Sequence, residues 1–174
     1  MKKVVIILGV ILGLISCSTP TKYIVKSASE LSQIDFEQNM INYLPLLDSD
    51  LKNSAVLDST YKLLVLRKYS KLDKYLSAVK SETQDFYLAK VLYYVSKTEY
   101  KEAANYLRKI NEEQYPVLRE LLFIDLSYEL SKNSRSTIYK QYLQAYQELI
   151  DKYPDNEYLK KIVALRTRYI RYNY

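Results

Sequence analysis

The chain has 174 residues, 26 basic against 20 acidic side chains and a formal charge of +6. Histidine and tryptophan are absent, there is one cysteine, and both glycines, Gly9 and Gly13, fall near the amino terminus. A long stretch without glycine lacks the residue that hairpin turns and phosphate-cradling loops need where φ is positive or the backbone meets a ligand. That argues against a β-sandwich and against a nucleotide enzyme. Without histidine there is no Ser-His-Asp triad, no Cys-His pair and no Cys/His zinc site. Carboxylates remain, but no calcium-loop pattern occurs, and acidic residues alternate with lysine as they do on solvated helix faces.

The chain begins Met1-Lys2-Lys3, runs apolar from Val4 to Ile15 and reaches Ser16-Cys17. A basic start, a short apolar run and a small residue form the pattern of a secretory signal. The twelve residues of the run are fewer than the roughly 20 that span a bilayer. Leu14-Ile15-Ser16-Cys17 resembles a bacterial lipobox. The resemblance implies cleavage after Ser16, with Cys17 diacylated on sulfur and acylated on nitrogen by palmitate-like chains. As the only cysteine, Cys17 has no disulfide partner within the chain. Residues 1–16 thus read as a lipoprotein signal peptide, 17–27 as the lipidated cysteine and its tether, and 28–174 as one helical domain. Removal of Lys2 and Lys3 leaves 24 basic residues against 20 acidic, a charge of +4 that suits proximity to anionic lipid or peptidoglycan. The ten tether residues from Ser18 to Ser27 reach about 33–36 Å when extended.

The rest reads as helix. Ser27 with Glu30 resembles a capping box, ahead of a helix over Ser29–Leu44 whose Leu31, Ile34, Ile41 and Leu44 form an apolar stripe. Pro45 ends it. The pattern then predicts one helix from Leu51 to Arg67 and a shorter one from Ser70 to about Lys80. A third, capped by Ser81-Glu-Thr-Gln84, runs to about Lys97, and a fourth, capped by Thr98, ends near Ile110. Pro116 suits the first turn of a helix reaching Leu130. Ser131–Thr137 is a polar loop, Ile138–Tyr153 a further helix, and Pro154-Asp155-Asn156 caps a last one through Arg171. The expected fold is all-α, with eight helices and short connections.

The helices repeat in pairs. Val56, Tyr87 and Leu121 are spaced by 31 and 34 residues, as are Leu63, Tyr94 and Tyr128, while Tyr69, Tyr100 and Tyr139 are spaced by 31 and 39. A period near 34 in helix–turn–helix units marks the tetratricopeptide family. Tyr87, Tyr94, Tyr100, Ala103 and Leu107, then Tyr139, Tyr146 and Pro154, fall at positions similar to that family's consensus. The resemblance implies an α-solenoid of about three degenerate repeats over Asn53–Asn156, with an N-terminal helix before it and a C-terminal capping helix after it. The chain departs from the pattern at Thr98, which stands at the turn glycine, and at Val91, Leu72 and Tyr142, which stand at small-residue positions. The third repeat carries about five extra residues.

By this resemblance the concave groove is lined by Leu57, Tyr61, Leu64, Leu88, Leu92, Val95, Leu122 and Leu126, all apolar or aromatic. A stripe of that size needs a cover, supplied either by Ser29–Leu44 or by a partner. Lys160, Lys161, Arg166, Arg168 and Arg171 form a candidate basic patch, either for phosphate head groups or an acidic partner or as the solvated face of a capping helix. The 20 tyrosines read as packing residues more readily than as a stacking ladder for glycans. Together these features predict a lipid-anchored, non-catalytic protein-binding scaffold of the bacterial cell envelope, without cofactor, metal or nucleic acid. Its partners would be the membrane through Cys17 and an envelope protein. Ser18 after the cysteine favours the outer membrane under enterobacterial sorting rules, and the tetratricopeptide component of outer-membrane β-barrel assembly is the obvious comparison. The alternative is a cell-wall or glycan-binding lipoprotein, and a carboxylate-dependent glycoside hydrolase ranks last.

Overall fold

The computed structural model describes residues 43, 45–131 and 138–172. The described part is all-helical, in eight helices. They are α1 (Asp48–Asn53), α2 (Ala55–Val65), α3 (Tyr69–Ala78), α4 (Gln84–Ser96), α5 (Tyr100–Leu107), α6 (Pro116–Ser131), α7 (Ile138–Lys152) and α8 (Glu157–Tyr172). The eight differ from those expected. The helix expected over Ser29–Leu44 lies outside the described residues except for Tyr43, as does most of the Ser131–Thr137 loop. The one expected from Leu51 to Arg67 is divided at Ser54. There the backbone is extended (φ −126°, ψ 107°) and Ser54 Oγ accepts the Leu57 N–H at 3.3 Å. A serine hydroxyl that caps a new helix competes with continuation of the old one.

Each helix packs on the next in sequence, and α2 also meets α4. Helix α4 is central: Phe86, Leu88, Ala89, Val91, Leu92, Tyr93 and Val95 are all buried. A helix that is apolar nearly all round must sit inside, and α4 is enclosed by α2, α3 and α5. Helix α5 instead buries one face through Ala103 and Leu107. The core continues into α6, α7 and α8 through Leu118, Leu121, Leu122, Leu126, Tyr146, Leu149, Leu159, Ile162 and Val163.

The helix ends show how a segment without glycine makes its turns. After α2, Arg67 adopts φ 52°, with Arg67 N–H donating to Leu64 O and Lys68 N–H to Leu63 O. After α4, Thr98 adopts φ 60°, with Thr98 N–H donating to Val95 O and Glu99 N–H to Tyr94 O. Both are Schellman closures, 31 residues apart. Thr98 therefore closes α4 and does not cap α5, whose N-cap is Glu99 without a side-chain bond. Likewise the cap of α4 is Thr83, which accepts the Phe86 N–H at 3.2 Å, and not Ser81. The expected caps near Pro116 and Asn156 are observed. Pro116 is the first residue of α6, and Asn156 Oδ1 accepts the Leu159 N–H at 2.9 Å.

A left-handed threonine costs about 1–2 kcal/mol relative to right-handed backbone, and a glycine there loses part of that advantage to unfolded-chain entropy. Thr98→Gly is therefore expected to stabilise the fold by about 0.5–1 kcal/mol. Thr98→Ala should not. Thermal denaturation of the two variants checks this.

Candidate functional site: a buried carboxylate centre

Along α6 the buried positions are Leu118, Leu121, Leu122, Asp125, Leu126, Tyr128 and Glu129. The helical phase thus carries Asp125 into the core. On α8 the inward positions Leu159, Ile162, Val163 and Ile170 enclose Arg166 in the same way. The two meet: Arg166 Nε donates to Asp125 Oδ2 at 3.1 Å, with the carboxylate fully buried and the guanidinium side chain 5% exposed. Two phenols close the carboxylate, the Tyr43 hydroxyl on Oδ2 and the Tyr146 hydroxyl on Oδ1. The Arg166 guanidinium lies 5.4 Å from the centre of the Tyr43 ring. One centre thus joins the segment before α1 to α6, α7 and α8.

The electrostatics follow from the enclosure. Burial first, then the Asp125 charge, pushes both the Tyr43 and Tyr146 hydroxyls well above the ordinary phenol value. Burial works against the Arg166 charge, but Asp125 and the two phenols more than offset it, and Arg166 is held above its ordinary value. An isolated buried charge would cost several kcal/mol; a paired one with its remaining lone pairs satisfied is tolerated. Each raised phenol keeps its proton in the folded state at a pH where the unfolded chain has released it. Stability is then complete below pH 10 and falls above it, by up to about 1.4 kcal/mol per pH unit for each such group. Tyr146→Phe should flatten that alkaline slope in equilibrium unfolding between pH 9 and 11 without changing the neutral-to-acid limb in shape.

Other tyrosines repeat the device between neighbouring helices. Tyr93 donates to Asp73 at 2.9 Å, Tyr153 to Glu120 at 3.1 Å, and Tyr115 to Asp85. Tyr115 carries φ 53° immediately before Pro116, and its carbonyl accepts the Arg119 N–H at 2.7 Å to start α6. Tyr94 and Tyr106 stack on each other, centroids 5.5 Å apart. The hydroxyls of Tyr93, Tyr115 and Tyr153 are thus spent on carboxylates within the fold.

Of the groove residues expected from sequence, Leu57, Leu88, Leu92, Val95, Leu122 and Leu126 lie in the core. Tyr61 and Leu64 are half-buried. Six of the eight are therefore core residues of this chain. The expected basic patch divides. Arg166 points inward to Asp125, and Lys160 pairs with Glu157 at 2.8 Å. Lys161, Arg168 and Arg171 are exposed. The most exposed large apolar side chain among the described residues is Phe123, at 62%. It sits with Ile124, Ala145 and Leu149 in a cleft between α6 and α7, rimmed by Arg119, Glu120 and Lys152.

Among the described residues no group of acidic, cysteine or histidine side chains could hold a metal ion. No described helix is long and apolar enough to cross a membrane. Asp125 and Arg166 were not legible as a pair from sequence, although each interrupts an apolar run at an inward phase. Comparison of the chain with protein-family models, with curated proteins and with solved structures gave no match.

Proposed function

We propose that the chain is a lipid-anchored, non-catalytic scaffold of the bacterial cell envelope that binds another protein. The observation that carries the reading is Leu14-Ile15-Ser16-Cys17 behind a basic start and an apolar run, the address of a lipoprotein. The domain beyond it is a tetratricopeptide-like α-solenoid of about three degenerate repeats. Support for that registry comes from the matched Schellman closures at Arg67 and Thr98, which share the 31-residue spacing of Val56 with Tyr87. The non-catalytic part is supported by the state of the Asp125 carboxylate, which is fully buried. Asp125 is neutralised by Arg166 and capped on both oxygens by phenols, so no substrate can reach it without breaking the core. With most of the concave stripe buried, the partner surface moves to the outside of the hairpins, where Phe123 is the leading apolar contact. The outer membrane is the proposed address, and a role in outer-membrane protein assembly is the proposed setting.

Cys17→Ala tests the anchor. Wild type should incorporate a fatty-acid analogue and sediment with membranes, while the variant should lose the label and most of its membrane association. A variant that stays in the membrane fraction, beside a wild type that takes up no label, would overturn the reading. Crosslinking in the native cell with and without Phe123→Asp identifies the partner and its face. The expected result is one dominant adduct that the substitution removes.

A further inference from the structure

Helix α8 carries five cations and one acid, Glu157. Arg166 is consumed by Asp125 in the core and Lys160 by Glu157. Lys161, Arg168 and Arg171 remain, exposed and with no ion pair among the described residues. With Ala164 they share one side of the helix, at spacings of three and four residues. The two exposed arginines border a shallow dish floored by Ala164 and Thr167, small residues that leave room between the guanidinium groups. The Lys161 ammonium lies 5.7 Å from the ring centre of Tyr158.

Two features separate this face from an ordinary solvated one. Only seven of the 26 basic residues are arginines, and two of those, Arg168 and Arg171, stand on this face. Arginine presents a planar fork matched to phosphate oxygens, which lysine does not. The helix dipole favours cations, but only within the last turn, so it accounts for Arg171 and not for Lys161.

We propose that the Lys161–Arg168–Arg171 face of α8 docks on the phosphate head groups of an anionic lipid surface, setting the orientation of the domain on its membrane. The proposal rests on the anchored reading above. There the acyl chains supply attachment and this face fixes which side of the domain meets the bilayer. A juxtamembrane basic residue contributes a roughly constant increment of attraction to an anionic leaflet, so three together amount to roughly 100-fold in partition.

The test uses the full chain carrying Cys17→Ala, so that no acyl chain contributes. Partition is measured onto vesicles of phosphatidylcholine alone and of equal parts phosphatidylcholine and phosphatidylglycerol. The apolar run 4–15 is common to every variant and cancels from the ratio of the two. The expected result is a strong anionic preference that weakens with added salt. Lys161→Gln, Arg168→Gln and Arg171→Gln together should lower it roughly 100-fold. Lys62→Gln, Lys71→Gln and Lys74→Gln, which remove the same charge from α2 and α3, should leave most of it. Equal losses from the two triple variants would reduce the effect to net charge and overturn the proposal. So would an absent preference, or an unchanged one beside loss of a protein crosslink, which would assign the face to an acidic protein. Fatty-acid labelling at Cys17 is read separately, so failure of the anchor and failure of this face are distinguishable.

Discussion

Arg166→Ala is expected to lower folding stability by about 3–5 kcal/mol, the cost of leaving a buried carboxylate without its counter-charge. Among the described residues Arg166 is the cation paired with Asp125, and the two phenols that remain on its oxygens are neutral donors. Arg166→Lys keeps a charge but gives up the Nε–H that donates at 3.1 Å, so it should recover only part of the loss. The opposite experiment is to dissolve the whole centre. Asp125→Leu with Arg166→Met, and with Tyr43→Phe and Tyr146→Phe so that no hydroxyl is orphaned, should lie far closer to wild type than Arg166→Ala does. A buried ion pair is a poor source of net stability and a severe liability when half removed. Denaturant titration of the three proteins reads both results. A loss below about 1 kcal/mol in Arg166→Ala would mean that water reaches Asp125 and that the centre is not closed.

The all-helical architecture was legible because its signals are local. Apolar periodicity, Pro116 at a helix start and Asn156 at a cap each act within a turn or two of themselves. The division at Ser54 was not. Its hydroxyl can serve as a cap or sit in mid-helix, and Leu51, Val56 and Leu63 keep an apolar pattern across the break. Thr98 was misread for a similar reason: threonine is a good N-cap, and only its φ of 60° shows it closing the preceding helix. The buried centre is assembled across 82 residues between Tyr43 and Asp125 and 41 between Asp125 and Arg166, so no window holds its members. Its trace in the sequence is a phase argument. Asp125 follows Leu118, Leu121 and Leu122, and Arg166 follows Leu159, Ile162 and Val163, each at the next inward position of a helix. Two opposite charges at inward phases on separate helices are a reason to expect a pair. Most of the candidate groove residues are buried, and apolar positions on the first helix of a hairpin can pack against the next hairpin, as α2 against α4 does.

Tyr43→Ala should be the other severe substitution, at about 3–5 kcal/mol, because it combines a large cavity with a lost bond. The ring is fully buried, its hydroxyl donates to Asp125 Oδ2, and its face lies against the Arg166 guanidinium. Leu47, also buried at 1% exposure, stands four residues on. Tyr43 thereby pins the entry to α1 onto α6 and α8. Tyr43→Phe removes only the hydroxyl. Asp125 Oδ2 then keeps Arg166 as a donor, and the loss should be about 1–3 kcal/mol. Native-state hydrogen exchange separates a pin from a mere space-filler. If Tyr43 holds the segment down, Tyr43→Ala should raise exchange in α1 and in α6 around Asp125 by more than the global loss explains, while α4 and α5 follow global stability. Tyr43→Phe should show the same regional pattern at smaller amplitude. Uniform acceleration in every helix would make Tyr43 one core residue among many. A stability loss below about 1 kcal/mol in Tyr43→Ala would place its ring in a site that collapses readily, and the segment before α1 would then have no fixed attachment at this point.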